Sequence, residues 1–538
     1  MTPGSETIII EVNGERYRCH PSLTLAQALA AGGYPLEAPC GGRGTCGRCR
    51  VRIHHPYLEP SELEIQFLDP DHLEMGWRLA CRRRPVSGMR LSLGAESFPV
   101  TAGPDSSKGE ASLEGWEARP DGWLISAPGP YPLGVALDVG TTSLAGYLLN
   151  LESGTAESAA VMPNPQLPYG PDVVSRVAAA SNPEAARALR AALLRGIDHL
   201  LDQLVGASRR GHPQALTVVG NAAMHHFILG LPTKEMGTAP YRPYDAESRL
   251  LPAADLGLRR WASARAFFPP LIWGFVGSDV TAGMAASGLG SLPGVNLYVD
   301  LGTNSEIVLS AGGRLKAAAA AAGPAFEGGN LSSGMRATPG AISRVSLGDR
   351  LELEVVGGTR PRGITGSGTV DFLADALRQG LVDPGGRIDA GRASHLGIEV
   401  QTDGEGAVRL ELCPGVFISQ GDVRQIQLAK AAVAAGISAL LAQEGLSVED
   451  VDRLFLAGAF GNHIGPESAM RIGLFPPLDL RRIIPLGNSA GRGAQMILLS
   501  SRARDRAEEA RRRTEYLELA SDPTFKSCYL NLLSFPPP

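Results

Sequence analysis

Several things are scarce in this 538-residue chain, and each absence narrows the field. Lysine occurs only five times, so arginine carries most of the positive charge, and the net charge of −5 gives no reason to expect a nucleic-acid partner. No run of 18 apolar residues is long enough to span a bilayer; the longest candidate, Ala431–Ala442, is short and alanine-rich and reads as a buried helix. Met1–Val12 lacks a basic segment followed by an apolar one, so no secretory signal and no membrane partner are expected. Seven cysteines are an odd number, and four of them are clustered, which excludes a disulfide framework and makes the cytoplasm the expected compartment. There is no GxxxxGK[ST] phosphate loop, and no GxGxxG follows a strand in a convincing βαβ context.

What remains is an ordinary globular balance, 44% hydrophobic and 20% charged, with room for about two to four domains. Its most informative stretch is Cys40-Gly41-Gly42-Arg43-Gly44-Thr45-Cys46-Gly47-Arg48-Cys49, spaced C-x5-C-x2-C, with Cys81 following 32 positions after Cys49. Four thiolates at such a spacing suffice for a [2Fe-2S] cluster, and the glycines let the loop fold tightly and aim N–H groups at the sulfurs. The competing reading is structural zinc, but zinc ribbons use two separated CxxC pairs, and this chain has one. Cys19, Cys413 and Cys528 have no partners by spacing and read as ordinary thiols. Arg82-Arg83-Arg84 reads either as a solvated basic face or as a docking patch for an acidic partner.

Around this loop the pattern predicts a small β-grasp domain over residues 1–96. Thr7–Val12 and Arg16–His20 form a hairpin turning at Asn13-Gly14, and Leu23–Ala31 is helical, ending at Gly32-Gly33. A strand at Arg48–Ile53, a short helix near Glu62–Leu68, and strands at Arg78–Cys81 and Met89–Leu93 complete it. Residues 97–131 are rich in Pro, Gly, Ser and acidic residues and read as a partly tethered linker, with Trp116 and Trp123 as anchors. Residues 132–538 alternate β-rich runs with alanine- and leucine-rich helices, for example Leu216–Val219 and Ala429–Leu441, an α/β pattern.

Within that region Leu137-Asp138-Val139-Gly140-Thr141-Thr142 recurs as Val299-Asp300-Leu301-Gly302-Thr303-Asn304. Each reads as a strand that ends at an aspartate, turns through glycine and hydroxyl residues and returns. Such a turn points N–H groups and hydroxyls at a phosphate, and the aspartate suits water-bridged Mg2+. One copy alone is compatible with a plain hairpin; two copies roughly 160 residues apart suggest two loops clamping one triphosphate. A third motif, Leu456-Ala457-Gly458-Ala459-Phe460-Gly461-Asn462-His463, follows a strand at Arg453–Leu456 and offers backbone to a flat adenine ring at Gly458, Ala459 and Gly461. His225-His226 in an apolar helix reads as packing rather than ligation.

Together these motifs resemble the superfamily of acetate and sugar kinases, heat-shock chaperones and actin, in which paired hairpins bind phosphate and a late glycine motif contacts adenosine. More closely, the chain resembles the reductive activators of corrinoid proteins. Matching stretches run nearly end to end: Cys40–Cys49, Asn164–Gln166, Tyr169–Asp172, Gly220-Asn221, Gly274–Asp279, Gly323–Gly329, Ile364–Gly368, Leu456–Asn462, Gly487–Gly491 and Tyr516–Leu519 with Asp522, Pro523 and Phe525. Some activators carry an extra domain for which 97–132 leaves no room, and others carry C-terminal CxxC segments where this tail has only Cys528.

The resemblance implies a mixed α/β and α+β multidomain protein: a β-grasp [2Fe-2S] ferredoxin domain, a linker, and a two-lobed, actin-like (ribonuclease H-like) ATPase. It implies Cys40, Cys46, Cys49 and Cys81 as cluster ligands, Asp138 and Asp300 as catalytic residues, and Gly140, Thr141, Thr142, Gly302, Thr303 and Asn304 with the glycine motif as ATP contacts. ATP and Mg2+ join the cluster as cofactors. The implied partners are a corrinoid protein of a methyltransferase system and a low-potential electron donor, and a homodimer is the assembly the resemblance allows. The activity it implies is ATP-driven reduction of cobalt(II) to cobalt(I). Competing readings are an ATP-coupled electron donor to another enzyme, a ferredoxin-fused small-molecule kinase, and a redox sensor with a degenerate ATPase.

Overall fold

The structure, a computed structural model, describes residues 7–34, 36, 38, 40–93, 101–102, 120–124, 131–208, 211–348, 350–402, 407–458, 461 and 463–537. They fall into two compact units: the first lies within Met1–Lys108, Glu117–Ala282 and Ala490–Glu508, the second within Gly283–Ser489 and Glu509–Pro538.

The first unit opens with a five-stranded sheet in the order Glu15–Cys19, Ile8–Val12, Arg90–Leu93, Arg50–His55, Trp77–Leu79. Its first and last long strands pair in parallel at Glu11 and Arg90, as a β-grasp requires. Asn13 and Gly14 both take positive φ, 52° and 88°, the turn that suits a right-twisted hairpin. The helix runs over Leu25–Ala31, two residues later than its apolar spacing suggests, because Thr24 is its cap: Gln27 N–H donates to Thr24 Oγ1, and the Gln27 side chain accepts from Thr24 N–H. Six of its seven residues are buried, since a second layer covers its far side: the 26-residue helix Pro183–Ser208. Arg195 of that helix donates to the Gly32 carbonyl at 3.0 Å.

That long helix lies against a seven-stranded sheet. From Arg265–Phe268 the sheet runs through Ala215–Gly220 and Leu133–Val139 to Ser143–Asn150 and Ala156–Pro163. The first three of these are parallel and the last two antiparallel. In the second unit, Ile483–Gly487, Val451–Ala457, Val295–Asp300, Ser305–Ala311 and Arg314–Ala320 repeat the same order and directions. The sequence echo is therefore a duplication of sheet topology, with a DxGT turn joining the same pair of strands each time.

Arg78–Cys81 is not one strand. The strand stops at Leu79, where Ala80–Arg82 wind into a 3-10 turn closed by Arg83 N–H on the Ala80 carbonyl; Ala80 N–H still bonds the Cys49 carbonyl at 2.9 Å, and Cys81 N–H lies on Cys49 Sγ. The helix Gln420–Gln443 is long and apolar enough to cross a membrane by composition, but it is largely buried within the second unit, against Ser305–Ala311, Arg314–Ala320 and the helix Pro523–Asn531. Of the linker, Thr101–Ala102 pairs with Val161 and Ala160. Trp123 donates to the Ile497 carbonyl at 2.8 Å, meets Phe267 edge-on and lies under Arg504. Trp116 is outside the described residues.

Candidate functional site

The cysteine loop follows the ferredoxin helix. Gly41, Gly42, Gly44 and Gly47 all have φ between 62° and 83°, a region side chains avoid, which is why glycine recurs here. The four cysteines come as two pairs. Cys46 Sγ lies 3.3 Å from Cys40 Sγ, and Cys81 is hydrogen-bonded to Cys49. Among the described residues no three His, Cys, Asp or Glu converge as ligands of a single metal ion. Zinc needs its four ligands about one point, whereas two cysteines per iron is the demand of a two-iron cluster; the donor set fits [2Fe-2S].

Within each pair the shared hydrogen bond lowers one thiol and raises the other. The Cys46 thiol and the N–H groups of Thr45, Gly44 and Gly42 draw Cys40 down to about 4, and Cys46 is pushed up by the same contact. In the other pair the shared hydrogen bond draws Cys81 down and pushes Cys49 up. The three arginines after Cys81 do not form one face. Arg82 is exposed and packs beside Gly44, and Arg84 is exposed and donates to the Ser22 carbonyl at 2.6 Å. Arg83 turns in to pair with the fully buried Glu64.

In the first sheet, Asp138 is paired with Ala145 and is half-buried next to the turn Gly140-Thr141-Thr142. Gly140 N–H closes the turn on the Ser143 carbonyl at 2.9 Å. Two residues absent from the sequence-based site hold this turn. Asn164 Nδ2 donates to the Gly140 carbonyl at 2.8 Å, and Asn221 Nδ2 donates to Thr141 Oγ1 at 2.9 Å. Asn221 is also the cap of the helix Ala222–Leu229, and it follows directly on the strand Ala215–Gly220, a signal the sequence carried. Gly277 presses on Gly220-Asn221, with space only for a hydrogen where a Cβ would lie 2.5 Å from Asn221 Cα.

The second turn, Leu301–Asn304, is built the same way from different partners. Thr303 Oγ1 donates to Glu327 Oε1 at 2.7 Å, and the Thr303 carbonyl accepts from Gly323 N–H. Asp300, also half-buried, accepts from the Tyr298 hydroxyl at 3.2 Å, which itself lies 2.8 Å from Ser489 Oγ. Glu327 lies 24 positions from Thr303 and Ser489 lies 191 from Tyr298, so spacing alone does not reveal them. Gly458, φ 92°, closes on Asp300 and Leu301 rather than standing open. Gly461 is described and Ala459 lies outside the described residues. The structure thus joins Asp138 with Gly140–Thr142 in one unit, and Asp300 with Gly302–Asn304 and Gly458 in the other.

The pair His225-His226 is buried: burial pulls both imidazoles down, His225 to about 3, and His226 Nε2 accepts from the N–H of Tyr244 and Asp245. Both are packing residues, as their apolar helix suggests.

Comparison with known proteins matches this arrangement segment by segment. Residues 8–86 match the 2Fe-2S iron-sulfur cluster binding domain, 133–291 the RACo middle region, and 294–537 the C-terminal domain of RACo, the ASKHA domain. "Corrinoid activation enzyme RamQ" of Eubacterium limosum is 34% identical across 94% of this chain and 95% of its own length. The "[Co(II) methylated amine-specific corrinoid protein] reductase" of Methanosarcina barkeri is 28% identical across 75% of this chain and 77% of its own. A solved structure described as a "Reductive activator for corrinoid,iron-sulfur protein" superposes with a TM-score of 0.70 at 26% identity, covering 98% of both chains. The chain belongs to the RACo family of reductive activators of corrinoid proteins.

Proposed function

We infer that this chain is an ATP-dependent iron–sulfur reductase that passes one electron to the cobalt(II) of a corrinoid protein, restoring the cobalt(I) used in methyl transfer. One observation carries the reading. Two cysteine pairs and two phosphate-type hairpins share a chain that aligns nearly end to end with a corrinoid activation enzyme.

Held by Cys40 with Cys46 and by Cys49 with Cys81, a [2Fe-2S] cluster supplies one-electron transfer at roughly −400 mV, the range of plant-type clusters. Cobalt(II) is harder to reduce, and each ~59 mV of mismatch costs a factor of ten. ATP closes that gap only through different affinities for two states of the protein. In this reading Asp138 and Asp300 hold Mg2+ through water. Thr141, Thr142, Thr303, Asn304 and the N–H groups of Gly140 and Gly302 take phosphate oxygens, and the segment after Gly458 takes the adenosine. The partner is the corrinoid protein of a methyltransferase system; a low-potential donor replaces the electron. Seven free cysteines with no disulfide suit a reducing cytoplasm.

The test mixes the purified protein, a chemical reductant, Mg·ATP and a cobalt(II) corrinoid protein, and follows the corrinoid's visible spectrum. ATP-dependent appearance of cobalt(I), or of methylcobalt when a methyl donor is present, is expected. Its absence sinks the reading.

A further inference from the structure

The strand Ala156–Pro163 ends at Asn164, and from there to Pro171 the chain touches both working parts of the first unit. At its near end lies the phosphate turn. The fully buried Asn164 grips it twice, through Nδ2 on the Gly140 carbonyl at 2.8 Å and through its N–H on the Thr142 carbonyl at 2.9 Å. At its far end lies the cluster loop. Gly42 stands where a Cβ would be 2.9 Å from the Pro168 carbonyl, and a Cβ on Gly41 would overlap Pro171. The Tyr169 hydroxyl donates to the Gln27 carbonyl at 2.8 Å, and Gln27 Nε2 returns a bond to the Pro168 carbonyl at 3.4 Å.

Between the two ends every polar side chain is buried and bonded. Asn164 Oδ1 accepts from Gln166 N–H at 2.8 Å. Gln166, fully buried, donates to the Leu189 carbonyl at 3.1 Å and accepts from Arg176 Nη1 at 3.4 Å. Arg176, also fully buried, donates from Nε to the Gly170 carbonyl at 2.9 Å. Burial pushes the Tyr169 phenol well above its ordinary range, so it stays a donor. Such a network has few compliant parts: a shift of the Gly140 carbonyl must move the segment or break a buried hydrogen bond. At the cluster end the contact falls on glycine backbone, with no side chain to absorb movement.

We propose that Asn164 and Tyr169 are positioning residues that couple phosphate bound at Thr141-Thr142 to the geometry of the cluster loop at Gly41-Gly42. The proposal rests on the reading of that turn as a nucleotide site. The lever it reaches is the set of N–H groups of Gly42, Gly44 and Thr45 on the Cys40 sulfur. Hydrogen bonds to cluster sulfurs are among the factors that set cluster potential. Nucleotide state and reducing power are therefore linked inside the first unit, before any partner docks.

The test uses the cluster-loaded full chain, with and without Mg·AMP-PNP. It reads the electron paramagnetic resonance spectrum of the reduced cluster and the hydrogen exchange of the amides at 40–49. In the parent chain the nucleotide is expected to change the spectrum and to alter exchange at Gly41–Thr45 about fivefold or more, the lower range of allosteric coupling. Tyr169→Phe removes one hydroxyl from a fully packed site; it should bind AMP-PNP by calorimetry and show an unaltered nucleotide-free spectrum, with the response reduced. Asn164→Ala should abolish the response. A parent chain whose spectrum and exchange ignore the nucleotide, or a Tyr169→Phe variant that responds as the parent does, overturns the proposal. The corrinoid assay on the parent chain separates the two readings: ATP-dependent cobalt(I) with an unresponsive cluster loop refutes the coupling and leaves the activity standing.

Discussion

Gly458 leaves its Cβ position to Asp300: an added methyl would lie 2.6 Å from Asp300 Oδ1 and 2.6 Å from the Leu301 carbonyl. Its φ of 92° disfavours any side chain as well. Gly458→Ala is therefore expected to displace Asp300, lower ATP turnover about tenfold or more, and destabilise the fold by about 1 kcal/mol or more. The visible spectrum of the cluster should not change. Unchanged turnover in a steady-state ATPase assay would separate Gly458 from the work of the Leu301–Asn304 turn.

The same residue shows what the sequence does and does not reveal. Gly458 reads as a point of close approach because a glycine after a strand carries no side chain; that Asp300 lies against its Cβ position is a tertiary fact the sequence does not carry. The DxGT turns and the cysteine loop are legible because their chemistry is local: turn, hydroxyls and carboxylate lie within six residues of one another. Their supports are not local. Asn164 reaches Gly140 across 24 positions, Asn221 reaches Thr141 across 80, and Tyr169 reaches Gln27 across 142. Arg83 looks like surface charge beside Arg82 and Arg84 until Glu64 is found beneath it. The capping box Thr24 to Gln27 was readable, and it moves the helix start past Leu23.

Asp138→Asn and Asp300→Asn should each cut ATP turnover by about a hundredfold or more if, as proposed, each carboxylate holds a phosphate-bound cation. Both should leave the cluster spectrum intact. Cys46→Ala should do the reverse, losing the cluster spectrum while ATP binding persists. Loss of both signals in any one variant, with circular dichroism unchanged, would contradict the separate roles assigned to the two sites.

Glu64 joins the helix Glu62–Phe67 to the turn that carries Cys81. It accepts from Ser61 N–H and Leu79 N–H, each at 2.9 Å, and pairs with Arg83. Burial alone would raise its pKa, but the Arg83 guanidinium and those N–H groups outweigh it and hold the carboxyl below its ordinary 4.5. A folded pKa below the unfolded one adds stability that is complete above the ordinary value and is lost as pH falls through the folded one. Glu64→Gln should cost about 3 kcal/mol at pH 7, the lower end for breaking a buried pair. The difference from the parent chain should shrink in acid. Thermal unfolding of both chains at neutral and acidic pH checks this, and a gap that stays constant with pH would rule out the ion pair as its source.

Lys430 presents the opposite sign. It is fully buried in the helix Gln420–Gln443, donates from Nζ to the Ser534 carbonyl at 2.5 Å and stands 5.4 Å from the centre of the Phe535 ring. Burial lowers its pKa from the ordinary 10.5 to about 8. Between those two values the unfolded chain holds more protons than the folded one, so stability from this group rises with pH across that window. Lys430→Met removes a buried charge but leaves the Ser534 carbonyl without its donor, a loss of about 1–3 kcal/mol, so the net change at pH 7 combines two opposing effects. The slope does not. Urea midpoints measured from pH 7 to pH 9 should rise more steeply in the parent chain than in Lys430→Met, because no other group differs between them. Parallel midpoints would mean that the lysine keeps its proton throughout, with the carbonyl and the aromatic ring compensating for the water it lost.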